Sequence, residues 1–213
     1  MLRNICAVIF GVVAAAAPNC AFAQASPPTS AEICSIHFWP AANMRAAVDS
    51  LVGGGLIDSL AGVGPLPEAT EVLRSSLDQK SQFEILQSLD FTTVIRDAKP
   101  VFFLETELDN PFSLKKKSPP LTKPETNCYI EIIMAGAALN AHMIYGVALN
   151  SAVIVRIYRH GPVPDIAILT GSGVKIDKGK SRMRHSVAEM RDDLRAAFQK
   201  DLQKVLDYVA SRK

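Results

Sequence analysis

The sequence predicts a single α+β domain, in which a twisted, mostly antiparallel sheet carries helices on one face. Between residues 128 and 177, β-branched and aromatic runs alternate with Gly and Pro punctuation, which is typical of an antiparallel meander. The chain then ends in apolar residues spaced three to four apart, the pattern of an amphipathic helix. A chain of 213 residues is long enough to bury one such core.

The first 23 residues have the layout of a secretory signal peptide. Arg3 supplies a positive charge, an apolar run covers residues 5–17, and the small-x-small triplet Ala21-Phe22-Ala23 follows. The run is much shorter than the ~20 residues that a membrane-spanning helix needs. We therefore expect cleavage after Ala23, or alternatively after Ala25, and a periplasmic or secreted product.

Two other interpretations of this segment fit the residues less well. An uncleaved anchor conflicts with the short apolar run, and lipidation at Cys20 conflicts with the preceding Pro18-Asn19. After cleavage, residues 24–32 form a polar, Pro-containing lead-in, and residues 33–213 form the domain.

The composition argues against nucleic acid as a partner. Lys and Arg total 23 against 21 Asp and Glu, and no nucleic-acid recognition motif is present. The four histidines show no His-x-x-x-His spacing, so we predict no metal and no cofactor. The expected partner is another envelope protein or a membrane surface.

The cysteines left after cleavage, Cys34 and Cys128, each begin a predicted strand. An exported chain meets an oxidising compartment, where an even pair of cysteines usually bridges. We predict a Cys34–Cys128 disulfide, and two separate buried thiols are the alternative.

The N-terminal half mixes helical and extended patterns. The predicted elements are a strand over Ile33–Trp39, a helix over Ala41–Leu51, a helical region from Pro67 that breaks near Lys80–Gln82, a short strand over Phe91–Ile95, and a strand or loop edge over Pro100–Leu108. Asn110–Asn127, with its lysine triplet and several prolines, predicts a long exposed loop.

The C-terminal half is simpler. The predicted elements are strands over Tyr129–Ala138, Tyr145–Tyr158 and Ile166–Ile176 and a helix over Ser186–Ser211. Asn150-Ser151 is interpreted as a bulge or turn, and Gly171-Ser172-Gly173 as a bulge.

Two surface features are candidate binding sites. Residues 51–66 form a Gly-rich apolar segment, interpreted either as a tight helix-to-helix turn or as a partner-facing or membrane-touching loop that presents Leu56, Ile57 and Leu60. The second feature is a basic patch, if the strand ends meet, and scattered surface charge otherwise. Its members are Arg156, Arg159, Lys178, Lys180, Arg182 and Arg184.

No residue pattern indicates catalysis. Gly171-Ser172-Gly173 lacks the Gly-x-Ser-x-Gly of a nucleophile elbow. Glu105, Glu107 and Asp109 alternate in the manner of charges that protect an edge strand. The sequence therefore favours an exported, non-catalytic binding or envelope-assembly component. A small exported hydrolase that uses a group such as Glu105 or His160 is the alternative.

Overall fold

The computed structural model describes residues 32–42, 44–49, 67–115, 117–142, 146–176 and 187–212. Within these ranges the chain forms an α+β fold with one six-stranded sheet. The strands are β1 (Ile33–Trp39), β2 (Met44–Asp49), β3 (Lys99–Leu104), β4 (Cys128–His142), β5 (Gly146–Tyr158) and β6 (Ile166–Ile176).

The sheet is mixed and not purely antiparallel, so the expectation of a mostly antiparallel sheet is confirmed only for the meander of β4, β5 and β6. Its order is β3-β1-β4-β5-β6, and β2 also pairs with β4, beyond the end of β1. Strand β1 runs parallel to β3 and β4, and β2 runs parallel to β4, whereas only β4, β5 and β6 are antiparallel. Parallel neighbours need long crossovers, and the connections from β1 to β3 and from β3 to β4 supply them.

The described helices are α1 (Pro67–Ser76), α2 (Gln79–Gln87), α3 (Thr92–Ile95) and α4 (Val187–Ala210). They pack on one face of the sheet, the inner face, as the sequence predicted. Alternate side chains of the strands meet the apolar stripe of α4 there because strand side chains alternate between faces. This core includes Ile36, Phe38, Ile130, Ile132, Val153, Val155, Leu194, Phe198, Leu202 and Val209.

Two local predictions are wrong. The segment predicted as a helix over Ala41–Leu51 contains β2, in which Met44 and Ala46 are buried and Arg45 between them is exposed. The segment predicted as a strand over Phe91–Ile95 contains the short helix α3, which buries Val94. In both places tertiary pairing and packing override the local pattern.

The helical region after Pro67 divides three residues earlier than predicted. Asp78 separates α1 from α2, and its carboxylate accepts a hydrogen bond from the backbone N–H of Ser81 at 2.7 Å. This N-cap lowers the pKa of Asp78 below its ordinary value, chiefly through the hydrogen bonds from Ser81.

The irregular position of the meander lies in β4 instead of β5. The β4–β5 register shifts between Met134 and Gly136, while Asn150 and Ser151 pair without interruption with both neighbouring strands. Gly171-Ser172-Gly173 likewise pairs continuously with β5, so neither interpretation as a bulge holds.

The segment between β3 and β4 covers part of the opposite face of the sheet, the outer face. It contains a short 3-10 helix, Pro111–Ser113, and its Leu108 and Leu114 pack against a small apolar cluster of Trp39, Ile133, Ala135 and Ile154. The predicted loop is therefore partly docked on the sheet.

The predicted disulfide between Cys34 and Cys128 is present. The two residues are directly paired in the β1–β4 register, with their Cα atoms 4.5 Å apart. The bridge joins positions 94 residues apart and fixes the start of β1 beside the start of β4. Among the described helices, none is long and apolar enough to cross a membrane.

Candidate functional site

Polar and aromatic side chains form a cluster on the outer face of the sheet. The register places His37 of β1 beside Glu131 of β4, and Glu131 beside Arg156 of β5. Tyr129 and Tyr158 are paired two residues before and after this row. We call these five residues the outer-face cluster.

The centre of the cluster is a buried ion pair. Arg156 Nη2 contacts Glu131 Oε2, and both side chains have no solvent exposure. Arg156 Nη1 donates to Ser118 Oγ, whereas Nε and Nη2 have no hydrogen-bond partner among the described residues, and Nη2 meets Glu131 as an ion pair. Burial of two charges is costly, and the pair holds only while its partners stay in place.

The β3–β4 segment supplies further partners for Glu131. The backbone N–H of Leu121 donates to Oε1 at 2.6 Å, and Tyr129 donates to the same oxygen at 3.0 Å. The single hydroxyl proton of Tyr158 is shared between Oε2, at 3.4 Å, and the Ser118 carbonyl, at 3.1 Å. The carboxylate therefore ties the segment to the sheet, in addition to pairing with Arg156.

The tyrosines of the cluster are held neutral by their surroundings. Burial raises the pKa of Tyr129 well above its ordinary value of 10.0, and the Glu131 carboxylate raises it further. The same two causes raise the pKa of Tyr158. Both hydroxyls are thus fixed as hydrogen-bond donors to an anion, which is a structural task.

A histidine–carboxylate pair lies where the cluster approaches solvent. His37 Nδ1 and Glu105 Oε1 are 2.6 Å apart, with side-chain exposures of 11% and 26%. The His37 ring stacks on the half-exposed Phe103 at 4.6 Å between centroids and contacts Tyr129 at 4.8 Å. Strand β1 positions the ring, and the residue that follows β3 supplies the carboxylate.

The described hydroxyl of Thr122 does not complete a nucleophile relay with this pair. Thr122 Oγ1 lies 3.4 Å from His37 Nδ1, the nitrogen that Glu105 already contacts. A relay of the Ser-His-Asp kind needs the carboxylate on one ring nitrogen and the hydroxyl on the other. Thr122 is instead bonded to Tyr129 at 2.6 Å, so it belongs to the hydrogen-bond network that holds the segment in place.

A second buried acid lies on the inner face. Asp201 of α4 is fully buried, and Ser151 of β5 donates to its Oδ2. Oδ1 has no hydrogen-bond partner among the described residues, and burial raises the pKa of Asp201 above its ordinary value of 3.8. Ser151, followed by Ser172, which pairs with Ser151 in the sheet, partly offsets this rise in the pKa. The acid therefore joins α4 to β5 and β6.

An open groove of about 640 Å³ lies against β2 and the middle of β4. Arg45 and Arg74 contribute positive charge and Asp109 contributes negative charge, so the lining favours no single ligand charge. The chain from residue 50 to residue 66 lies outside the described residues, and we assign the groove no ligand.

The predicted site residues have different outcomes. Arg156 is buried against Glu131, so its charge contributes to an ion pair and not to an exposed patch. Arg159 is exposed, and its backbone N–H donates to Asp165 at 2.8 Å. The other predicted members of the two surface features lie outside the described residues. They are Leu56, Ile57, Leu60, Lys178, Lys180, Arg182 and Arg184.

The remaining candidates lie apart from one another. Glu105 pairs with His37, Glu107 accepts a hydrogen bond from Gln79 at 3.1 Å, and Asp109 lines the groove. His160 is exposed beside Asp165 at 3.3 Å. No group of three metal-type ligands occurs among the described residues.

Sequence reasoning did not identify Glu131 or the two tyrosines as a cluster. The available signal was the alternation Tyr129-Ile130-Glu131-Ile132, which puts Tyr129 and Glu131 on one face of a strand. Their partner Arg156 required the register of β4 against β5.

Comparison with known proteins adds no family. No family model matches the chain, and no curated protein matches it. A solved structure of a hypothetical protein from Chlamydia trachomatis is 12% identical to this chain. The match covers 84% of this chain and 99% of the chain in that structure. Its TM-score of 0.34 supports no conclusion about this chain.

Proposed function

We propose that this chain is an exported, disulfide-bonded binding or assembly component of the bacterial envelope, with no catalytic site of its own. The observation that carries the proposal is that ionisable groups on the outer face form their ion pairs and hydrogen bonds with other residues of this chain. Glu131 is bonded to Arg156, to two tyrosines and to the backbone of the β3–β4 segment. This set of internal partners around the Glu131 carboxylate suits a scaffold that holds a surface in shape.

The disulfide supports the exported location. Bridges of this kind form and persist in the periplasm or outside the cell, whereas cytosolic thiols are kept reduced. Cys34 is fully buried and Cys128 is partly buried, as expected of a structural bridge. The layout of the first 23 residues points to the same compartment.

The docked β3–β4 segment offers the surface for a partner. It presents Phe112 with 61% exposure and Leu121 with 37% exposure, and Phe103 lies at the neighbouring sheet edge with 37%. Exposed aromatic side chains on a rigid support are common anchors in protein interfaces.

Site-specific photo-cross-linking in the native cell tests this proposal. A benzophenone amino acid at Phe112 is expected to yield one reproducible heavier species, and the same group at Tyr208 on α4 serves as an exposed control. No species specific to position 112, or cytosolic chain with reduced cysteines, would count against the proposal. Identification of the cross-linked protein then names the partner.

An exported hydrolase is the alternative, and the His37–Glu105 pair is the observation that favours it. A carboxylate 2.6 Å from a partly accessible imidazole is the arrangement of a general base. Chromogenic esters, phosphates and glycosides form the test panel. Turnover that is lost in Glu105→Gln, with the fold retained, would replace the binding proposal with this one.

A further inference from the structure

The two ends of the sheet differ in how they are protected. Edge strand β3 has six residues and contains Lys99 and Pro100, both of which oppose pairing with another strand. Strand β6 has eleven residues, no proline and a single charge, Lys175. Among the described residues, β6 pairs with β5 alone, and no described strand lies along its other edge.

Along β6, three of the five pairs of positions equidistant from Gly171 match in chemistry: Ile166 with Ile176, Ile168 with Val174, and Thr170 with Ser172. The other two pairs, Ala167 with Lys175 and Leu169 with Gly173, do not match. A two-fold interface brings the same patch of two copies together in opposite directions, so each of these residues would lie opposite its counterpart in the second copy.

We propose that β6 pairs antiparallel with β6 of a second copy, about a two-fold axis that passes between the two opposed Gly171 residues. This pairing joins two six-stranded sheets into one continuous sheet. It is independent of the proposed function, because it concerns the identity of the strand's neighbour and not the partner of the β3–β4 segment.

Both faces of β6 fit the pairing. Ile166, Ile168 and Ile176 are partly buried against the inner-face core, so apposed copies would cover their remaining apolar surface. On the outer face Leu169, 49% exposed, would lie opposite Gly173 of the second copy. Lys175 would lie opposite Ala167, so no like charges meet.

One polar contact already reaches the strand. Lys204 Nζ of α4 donates to the Gly173 carbonyl at 3.1 Å. It engages one backbone group of an eleven-residue strand, and its exposed side chain is able to move aside for a partner strand.

Charged side chains introduced at Gly171, where the two copies would face each other, test the inference. A Cβ at Gly171 meets only the Ser151 carbonyl, at 3.8 Å, so a side chain is accommodated in a single copy. Sedimentation equilibrium of the full chain is expected to show a dimer. Gly171→Lys should weaken the dimer on the order of tenfold or more, since it places two like charges opposite each other. Mixing Gly171→Lys with Gly171→Glu should restore association, and Val163→Lys, in an exposed loop, should leave it unchanged.

A cysteine scan fixes the register and remains decisive if the charged variants fold poorly. Gly171→Cys should cross-link to itself under mild oxidation, because directly opposed Cα atoms of antiparallel strands lie about 4.5–5.5 Å apart. Leu169→Cys should not, since the two copies of residue 169 would be about 13 Å apart along the strand. A chain that stays monomeric at high concentration, or equal cross-linking at both positions, would overturn the proposal. A monomer whose β6 captures a segment of a different protein would overturn it as well.

Discussion

Breaking the Glu131–Arg156 pair should cost far more than breaking an exposed ion pair. Both side chains are fully buried, so removal of one partner leaves the other charged and desolvated. The usual cost of this is about 3–5 kcal/mol of the free energy of unfolding. Arg156→Met should fall at the lower end, because Leu121, Tyr129 and Tyr158 still donate to the carboxylate.

Glu131→Gln should fall at the upper end of this range. It leaves a buried guanidinium with Ser118 as its described hydrogen-bond partner. The double variant Glu131→Gln/Arg156→Met buries no charge, so its cost should be clearly below the sum of the two single costs. We expect a coupling energy of at least about 2 kcal/mol.

Urea unfolding of the wild type, both single variants and the double variant measures this cycle. The matched control is the exposed pair Lys80–Glu84 at 3.8 Å, where Lys80→Met should change stability by about 0.5 kcal/mol or less. Additive costs, or single costs near that of the control, would refute the argument that Glu131 and Arg156 lock the outer face.

Three further predictions follow from the same contacts. Replacing Cys34 and Cys128 with Ala should lower the free energy of unfolding by up to ~4–5 kcal/mol, because the bridge closes a loop of 94 residues; an unchanged urea midpoint would contradict this. Burial raises the pKa of Asp201 above 3.8, so the folded chain keeps a proton that the unfolded chain releases, and this group's contribution to stability should fall as the pH rises above about 4. Asp201→Asn should remove that part of the pH dependence, and identical pH profiles of the urea midpoint would contradict the assignment. Tyr129 and Tyr158 should stay neutral in the folded chain when the pH exceeds 10.0, and stability should fall there because the unfolded chain loses their protons; early ionisation in the near-ultraviolet spectrum would contradict this.

The sequence predicted elements well where local pattern and burial agree. Strands β1 and β6 have the predicted bounds, and α4 lies within one residue of its predicted limits. Strand β2 was missed because Met44, Val48 and Leu51 follow helical spacing, whereas the fold pairs the segment with β4. Parallel pairing between distant segments leaves no local pattern in the sequence. The directions of the paired strands therefore could not be predicted from it.

The candidate site shows the same limit. The disulfide could be predicted because both cysteines begin strands and only one pairing was available. The partners of His37 and Glu131 lie 68 and 25 residues away, respectively, at Glu105 and Arg156. The register that joins Glu131 to Arg156 also depends on the shift at Met134/Gly136. These contacts come from the topology and not from a local motif.

The intact mass of the chain recovered from its native cells tests the proposal of an exported, disulfide-bonded protein most directly. Osmotic shock should release a chain that starts at Gln24 and is lighter by two hydrogens than its reduced form. Chemical reduction should restore that mass and make Cys34 and Cys128 reactive to maleimide. A cytosolic chain that starts at Met1, with both thiols free before reduction, would contradict the proposal.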